Sequence, residues 1–337
     1  MAALQGMCET LALDPAPVEV LTPLDALARA PAAAALVVAA LKRAEDRKRL
    51  RLAHPQLRDA VGEATTWLEV DFAGPGAAAR PPTPARWPRL EELRVFKPDP
   101  AALEALASGT WRRLRSLYVG RMDSSPAFDA PCTRALAAAL RRMPALRALE
   151  LREVTLSDDA AAALFRASKN EDAPQLRALT IVGAHLTPAV ARLLAAAGWR
   201  LEELGLFHNP ELGAAGLAAL LAAPTFAIRR LRLQDCGLDA TTLLNLANAP
   251  WPLEELDLTH NDFSAAAAGP ALAALSRHGR LRCLDVEYCL LSAASFKALA
   301  RREWPALERL RLVGNGLGAP PTLEDARCWA PNLVELR

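Results

Sequence analysis

The sequence lacks features that identify several common classes of protein. Its 337 residues include only six cysteines, and no two of them form a CxxC pair. A zinc site or a disulfide framework therefore has no support, and reduced thiols fit a protein of the cytosol or nucleus. Catalytic loop patterns are missing as well, because no GxSxG, P-loop, GxGxxG or HExxH sequence is present.

Charge of one sign and long apolar runs are also lacking. Lys and Arg number 40 against 38 Asp and Glu, so the net charge is only +2 and does not by itself recruit nucleic acid or an anionic membrane. The longest uncharged apolar run, at 30–41, is shorter than the ~20 residues that span a bilayer. The N-terminal stretch has no basic region typical of a secretory signal. We expect a cytoplasmic protein, with a nuclear location as the alternative.

Isolated groups that could support chemistry have no partners in sequence. His208 and His260 each precede a turn asparagine in related segments and could lie near each other, but no third metal ligand accompanies them. Cys283 shares a strand face with Asp285, yet no histidine is placed to activate its thiol. We therefore expect no enzymatic activity, no cofactor and no metal site.

What the sequence does contain is a repeat. The pattern LxxLxL recurs at intervals of 24 to 32 residues. Copies begin at Leu90, Leu114, Leu146, Leu176, Leu201, Ile228, Leu253, Leu281, Leu307 and Leu333, with a weaker copy around Leu68 and Val70. The last two leucines of each copy lie two residues apart, so on a strand they point to one face. Stacked copies would pair these strands into a parallel sheet that no single copy could stabilise.

The segments around each strand complete the unit. Three residues after the last leucine stand Asn209, Cys236, Asn261, Cys289 and Asn315, small polar groups that can bond the backbone of a buried turn. Earlier copies depart from this alternation. Between strands, Thr187 as N-cap, Pro188 at the first helical position and Gly198 as a stop predict a helix.

The repeats resemble the leucine-rich-repeat family, and the Asn/Cys alternation is similar to its ribonuclease-inhibitor and cysteine-containing subfamilies. The resemblance implies an α/β solenoid, in which a curved parallel sheet carries outer helices. We expect about ten copies over 66–337 and a small all-helical module over 1–65. The final strand, at Leu333, would expose the end of the leucine ladder unless the sequence is a fragment or a partner covers that end.

Strand positions between the leucines face outward and form what we call the concave face. The candidate partner-binding residues there are Glu92, Arg94, Phe96, Tyr118, Arg152, Phe207, Arg230, Arg232, Gln234, Asp257, Asp285, Arg309 and Arg311. Aromatic and arginine side chains are enriched at binding hot spots, which favours a protein partner. The alternative is that these residues are merely solvated. Acidic copies interrupt the arginines and argue against nucleic acid.

The N-terminal segment contains a second pattern. A proline precedes an apolar helix, an aspartate follows fifteen residues later, and a Leu-Arg-Leu stretch comes next. The residues concerned are Pro31, Leu36, Val38, Asp46, Leu50, Leu52, Leu57 and Val61. This order resembles the F-box, although Ala30 and Arg47 depart from its pattern. A helical cap over the first repeat is the alternative, and the basic run at 47–51 could also be a nuclear address.

The F-box resemblance implies docking onto the linker subunit of a cullin-type ubiquitin ligase. The hypothesis is therefore a substrate adaptor of an SCF complex, whose repeats hold a protein substrate on the concave face. The competing hypothesis is a general leucine-rich-repeat interaction scaffold with no ligase role. Neither hypothesis involves nucleic acid or membrane.

Overall fold

The structure is a computed structural model that describes residues 66–72, 82–120, 130–166, 174–318 and 322–337. The predicted helical module over 1–65, with its eight candidate docking residues, lies outside the described residues. The same holds for most of the long connection after the third strand, at 121–129.

Eleven parallel strands form one sheet within the described residues, and their order in the sheet is their order in the chain. The strands are β1 Trp67–Asp71, β2 Glu92–Phe96, β3 Ser116–Gly120, β4 Ala148–Arg152, β5 Ala178–Val182, β6 Glu203–Phe207, β7 Arg230–Arg232, β8 Glu255–Asp257, β9 Cys283–Asp285, β10 Arg309–Arg311 and β11 Glu335–Leu336. Every strand thus pairs with the strand of the next copy, as the repeat predicts.

The leucine ladder sets the register of the sheet. Leu93 of β2 pairs with Leu117 of β3, which pairs with Leu149 of β4, and each is at most 2% exposed. Since side chains alternate across a strand, this register places one leucine of every copy in the same row of the core. The predicted α/β leucine-rich-repeat solenoid is confirmed.

Helices cover the leucine side of the sheet. They are α1 Pro100–Leu106, α2 Ala130–Leu140, α3 Asp158–Arg166, α4 Pro188–Ala195, α5 Gly213–Leu221, α6 Ala240–Ala247, α7 Ala268–Ala274, α8 Ala293–Leu299 and α9 Leu323–Arg327. A single turn of 3-10 helix, Leu275–Arg277, extends α7. No helix in the described part of the chain is both long enough and apolar enough to cross a membrane.

Local sequence signals begin and end these helices as expected. The Thr187 hydroxyl accepts a hydrogen bond from the Val190 N–H at 3.3 Å, and Pro188 is the first residue of α4. Gly198 follows the helix with a φ of +81°, a conformation that glycine adopts without strain. Small residues let neighbouring helices approach, since a Cβ on Gly269 of α7 would lie 2.9 Å from Cα of Ser295 in α8. The alanine-rich composition follows from this packing.

A polar ladder closes the turns of the later copies. Asn261 is 4% exposed, and its side-chain oxygen accepts from the N–H groups of Cys236 and Leu238 in the preceding copy, at 3.1 and 3.0 Å. Its amide donates to the carbonyl groups of Leu233 and Leu258, both at 2.7 Å. Asn209 and Asn315 make the equivalent bonds. The side chain therefore joins two consecutive copies through their backbones.

Cysteine replaces asparagine in the alternate copies. The Cys289 thiol donates to the Leu258 carbonyl of the preceding copy at 3.1 Å, and the Cys236 thiol donates to the Leu206 carbonyl. Val154 and Ala184 occupy the same turn position in earlier copies and are fully buried. The predicted alternation of Asn and Cys is thus a feature of the second half of the solenoid, whereas the first half fills the turn with apolar side chains.

Candidate functional site

The thirteen candidate residues of the concave face alternate with or directly follow the buried ladder residues, on the side of the sheet that the helices leave uncovered. The strand register places them in continuous rows. The central row runs through Arg94, Tyr118, Glu150, Thr180, Gly205, Arg232, Asp257, Asp285 and Arg311. The sequence periodicity therefore placed these residues on the correct face, and their environments distinguish them.

Sequence position alone suggested that the aromatic side chains of the concave face stand free in solvent. In the structure they are half-buried. Phe96 and Tyr118 pack together with ring centroids 5.0 Å apart. The ring of Phe207 lies over Gly205, where a Cβ would come within 2.7 Å of it. Tyr118 folds over Gly120 in the same way, and its burial raises the pKa of its hydroxyl. Glycines beside these rings supply the space that sequence periodicity did not reveal.

Arginines on the concave face pair with carboxylates of their own or neighbouring strands. Arg94 bonds Glu92 at 2.9 Å in β2, and Arg152 lies 3.6 Å from Glu150 in β4. Arg230 bonds Glu203 of the preceding strand. The arginine-rich and acidic copies that look like separate stripes in sequence therefore neutralise each other.

The same neutralisation continues through the last strands. Glu255 lies between Arg232 at 3.9 Å and Arg309 at 3.6 Å. Arg311 lies between Asp285 at 3.5 Å and Glu335 at 3.4 Å. Such partly exposed pairs add little stability individually, but they lower the field that the face presents to a charged ligand.

Two acidic side chains at the carboxyl ends of β8 and β9 contact one hydroxyl group. The Thr259 hydroxyl lies within hydrogen-bond distance of both carboxylates, 2.6 Å from Asp257 and 3.0 Å from Asp285, and Asp285 is only 8% exposed. Asp285 also accepts from the Glu287 N–H at 3.2 Å. Burial, followed by repulsion from Asp285, raises the pKa of the Glu287 carboxyl. Within the described residues, no three His, Cys, Asp or Glu side chains converge as metal ligands would.

Small neutral residues form the floor of the concave face between these regions. Ala148 of β4 pairs with Ala178 of β5, and Thr180 of β5 pairs with Gly205 of β6. Phe207 packs beside this floor. We call Ala148, Ala178, Thr180, Gly205 and Phe207 the neutral trough. The trough residues are uncharged, but charged residues of the same face border them, namely Glu150 and Arg152 of β4, Glu203 of β6, and Arg230 and Arg232 of β7.

The edge at the carboxyl ends of the strands contains an exposed aromatic residue that sequence reasoning missed. Tyr288 is 49% exposed, and its ring stacks on His260 with centroids 4.8 Å apart and planes within 5°. Val313, on the next turn, is also exposed. His208 instead contacts Asp235 at 3.1 Å, so the expectation that His208 and His260 lie together is wrong. The copy that contains Asp235 separates them.

Backbone geometry explains why Tyr288 escaped notice. His208, His260 and Tyr288 have φ values of +54°, +59° and +53°, so the chain has already left the pleat at this position. The alternation of a strand no longer determines where their side chains point. The usable signal is the residue immediately before each Asn or Cys of the turn ladder.

Thiol groups on and beneath the face are held in the neutral form. Burial raises the pKa of Cys236 and of Cys289 to about 12, and it also raises the pKa of Cys283. A thiolate is the reactive form of cysteine, so none of these three groups is activated as a nucleophile.

Comparisons with known proteins add information at the level of the fold. No protein-family model matches the sequence, and no curated protein matches it. Among solved structures, the complex of Rad7 and Elc1 from yeast is similar, with a TM-score of 0.54 at 15% sequence identity. The match covers 99% of this chain and 85% of the other. At that identity the likeness shows the fold alone, which is the leucine-rich-repeat solenoid.

Proposed function

We propose that this chain is a protein-binding adaptor, in which the concave face holds a protein substrate and the N-terminal segment docks onto the linker subunit of a cullin-type (SCF) ubiquitin ligase. The observation that carries the first part is the neutral trough, which is bordered by arginines that already pair with carboxylates. A general interaction scaffold without a ligase role is the alternative.

The chemistry of the face suits a polypeptide better than a polyanion. Paired arginines such as Arg230 and Arg311 have carboxylates beside them that would repel phosphate groups. Phe207 and Tyr118 offer partly accessible apolar area, and the small residues of the trough let a partner approach the sheet closely. Interfaces of this kind combine an apolar centre with a charged rim.

The ligase part rests on the F-box resemblance of the N-terminal segment, above all on the spacing of Asp46, Leu50 and Leu52. The similar yeast structure contains Rad7 in a complex with a second protein, Elc1. That observation supports the idea that a solenoid of this architecture can work as one subunit of an assembly. The proposed mechanism is proximity, with no reaction performed by this chain.

A pull-down with the linker subunit tests the ligase part. We expect the wild-type chain to bind and a Leu50→Asp, Leu52→Asp double variant to lose binding. A Lys48→Asp, Arg51→Asp double variant introduces the same two aspartates at neighbouring polar positions and should retain it. If the wild-type chain does not bind the linker subunit, the ligase role is refuted and the scaffold alternative stands.

A second experiment tests the trough. Thr180→Arg would fill the floor of the trough without touching the leucine ladder. In a crosslinking experiment in cell extract, the Thr180→Arg variant should no longer capture the protein partners of the wild-type chain. Thr241→Arg, at an exposed position of α6, should still capture them. Equal capture by both variants would show that the trough is not the binding site.

A further inference from the structure

The edge of the sheet at the amino ends of the strands carries a second row of charges. Each member lies two residues before the first buried strand leucine and bonds its neighbour through the backbone. The Arg147 N–H, for example, donates to the Arg115 carbonyl at 2.8 Å. In sheet order the row reads Glu91, Arg115, Arg147, Arg177, Glu202, Arg229, Glu254, Arg282, Glu308 and Val334. Adjacent members are therefore about 4.8 Å apart.

From Arg177 onward the row alternates in sign, and the charges pair. Arg177 bonds Glu202, Arg229 bonds Glu254 at 2.6 Å, and Arg282 forms a two-point contact with Glu308 at 2.8 and 2.9 Å. Before Arg177 the alternation fails, because Arg115 and Arg147 are consecutive. Neither has an ion pair with any residue that the structure describes.

Further arginines gather in the connections that lead into β2, β3 and β4. The Trp111 N–H donates to the Arg142 carbonyl at 2.7 Å, which joins the second and third of these connections. We call the exposed arginines of this region the basic edge. Its members are Arg89, Arg112, Arg113, Arg115, Arg141, Arg142 and Arg147. Among the described residues, none of the seven has a carboxylate partner.

An apolar groove opens within the basic edge. It has a volume of about 260 Å³, and Trp87 and Trp111, at 3% and 2% exposure, line it together with Pro88. Arg112 and Arg113 also line it. Drug-sized ligands occupy pockets of about 300–1,000 Å³, so this groove suits a single apolar side chain.

A groove farther along the same edge shows a different chemistry. It measures about 550 Å³ and is lined by the paired Arg282 and Glu308 together with Glu254 and Arg280. Charges of both signs are balanced there. The row itself is fully paired here, although Arg280 beside it has no carboxylate partner among the described residues. Consecutive unpaired arginines in the row are therefore not a requirement of the repeat.

We propose that the basic edge is a docking site for a short acidic segment of a partner protein, with one apolar side chain of that segment seated in the groove. Arginine forks bind carboxylates at two points, and three neighbouring strands span about 10 Å, the length of three extended residues. This site is separate from the neutral trough and does not depend on the proposed ligase role.

A nucleic acid fits the basic edge less well. Trp87 and Trp111 are buried, so the groove offers no exposed ring for base stacking. The row is also bounded by Glu91 on one side and Glu202 on the other, which would repel a longer chain of phosphates. An apolar side chain in the groove is something that a peptide provides and a nucleic acid does not.

Fluorescence anisotropy with the full chain tests the proposal. The probe is a labelled peptide of glutamates around a central leucine. Replacing all its glutamates with glutamine should weaken binding at least tenfold, and replacing the leucine with glutamine should weaken it severalfold. Binding of the acidic probe should also fall as salt is added, because the contacts are exposed.

A pair of charge-matched variants locates the site. The first triple variant should weaken binding of the acidic probe at least tenfold; it combines Arg113→Glu, Arg115→Glu and Arg147→Glu. The control triple variant changes the net charge equally and should keep most of the affinity for the probe. It combines Arg134→Glu, Arg166→Glu and Arg192→Glu, at exposed positions of α2, α3 and α4. Circular dichroism verifies that both triple variants are folded.

Three outcomes would overturn the proposal. Equal losses in the two triple variants would show that overall charge, and not the basic edge, attracts the probe. Equal affinity for the glutamate and glutamine peptides would exclude carboxylate recognition. Tighter binding of a labelled single-stranded DNA that is lost only in the edge variant would assign the site to nucleic acid instead.

Discussion

The two halves of the solenoid solve the same structural problem with different chemistry. In the second half, Asn209, Asn261 and Asn315 alternate with cysteines and satisfy the buried backbone of consecutive turns. In the first half, Val154 and Ala184 fill the equivalent positions with apolar groups. The charges differ in the same direction, since the row at the amino-end edge is paired from Arg177 onward, whereas Arg115 and Arg147 before it have no ion pair among the described residues.

This difference indicates which half of the solenoid has polar groups left to bind a partner. A copy whose polar groups are all bonded to the next copy has little left to offer a partner. A copy with unpaired arginines and an apolar groove retains unused binding capacity. Matched variants in the two halves test this contrast.

Removing the ladder asparagine should produce the largest loss. Asn261→Ala deletes bonds to the N–H groups of Cys236 and Leu238 and to the carbonyls of Leu233 and Leu258, which remain buried. We expect the free energy of unfolding to fall by about 4 kcal/mol, measured by urea denaturation.

The matched change in the first half is Val154→Ala. It removes apolar contact but leaves no polar group unsatisfied, so we expect a loss of roughly 2 kcal/mol. Similar losses for the two variants would mean that the polar ladder contributes no more than ordinary apolar packing.

A glycine in the ladder turn should be the next most sensitive position. Gly237 has a φ of +64°, and a Cβ there would overlap the Pro210 carbonyl oxygen of the preceding copy. We expect Gly237→Ala to cost about 3 kcal/mol, through the left-handed backbone and the clash. Gly198→Ala shares the positive φ but meets no atom within 4 Å, so it should cost only about 1 kcal/mol. Thermal denaturation compares the two, and equal costs would exclude the close approach between copies as a cause.

Much of the architecture was predictable because the ladder leucines are periodic. The face, the parallel order and the helix starting at Pro188 all follow from local pattern. Pairing of Glu255 with Arg232 and Arg309 was not predictable, because it depends on which strands become neighbours and how long side chains lean across them. Tyr288 was missed because its backbone leaves the strand alternation, and the burial of Phe207 depends on the glycine beside it.

Alkaline pH should lower the free energy of unfolding through the buried thiols of the polar ladder. The pKa of Cys236 and of Cys289 is about 12 in the folded chain, against an ordinary value near 9. Between these values the unfolded chain loses protons that the folded chain retains, so stability decreases as pH rises. Each thiol can contribute a decrease of up to about 1.4 kcal/mol per pH unit.

A double variant isolates this contribution. Cys236→Ala with Cys289→Ala should be less stable than wild type at neutral pH, and the difference should narrow above about pH 9, the ordinary pKa of a thiol. Cys328→Ala, which removes an exposed thiol, should follow wild type throughout. A difference that stays constant with pH would show that the two thiols ionise as readily in the folded chain as in the unfolded one.

The smallest expected change in stability comes from exchanging the charge patterns of the two halves. Arg147→Glu would place an acidic side chain between Arg115 and Arg177 along the amino-end edge, which reproduces the alternation of the second half. Like charges on adjacent strands repel, so the change should stabilise the fold by roughly 0.5 kcal/mol at low salt, and added salt should remove the gain. Glu254→Arg creates the opposite pattern in the second half and should destabilise the fold by a similar amount.

Unfolding midpoints in urea, measured at low and high salt, separate the possible outcomes of this exchange. Midpoints that move in opposite directions for Arg147→Glu and Glu254→Arg, while Arg147→Glu weakens the acidic probe, would show that the first half retains its arginines at a cost in stability and in favour of binding. Midpoints unchanged in both variants would remove the energetic part of the contrast between the halves, because the like charges on neighbouring strands would then be fully screened by solvent.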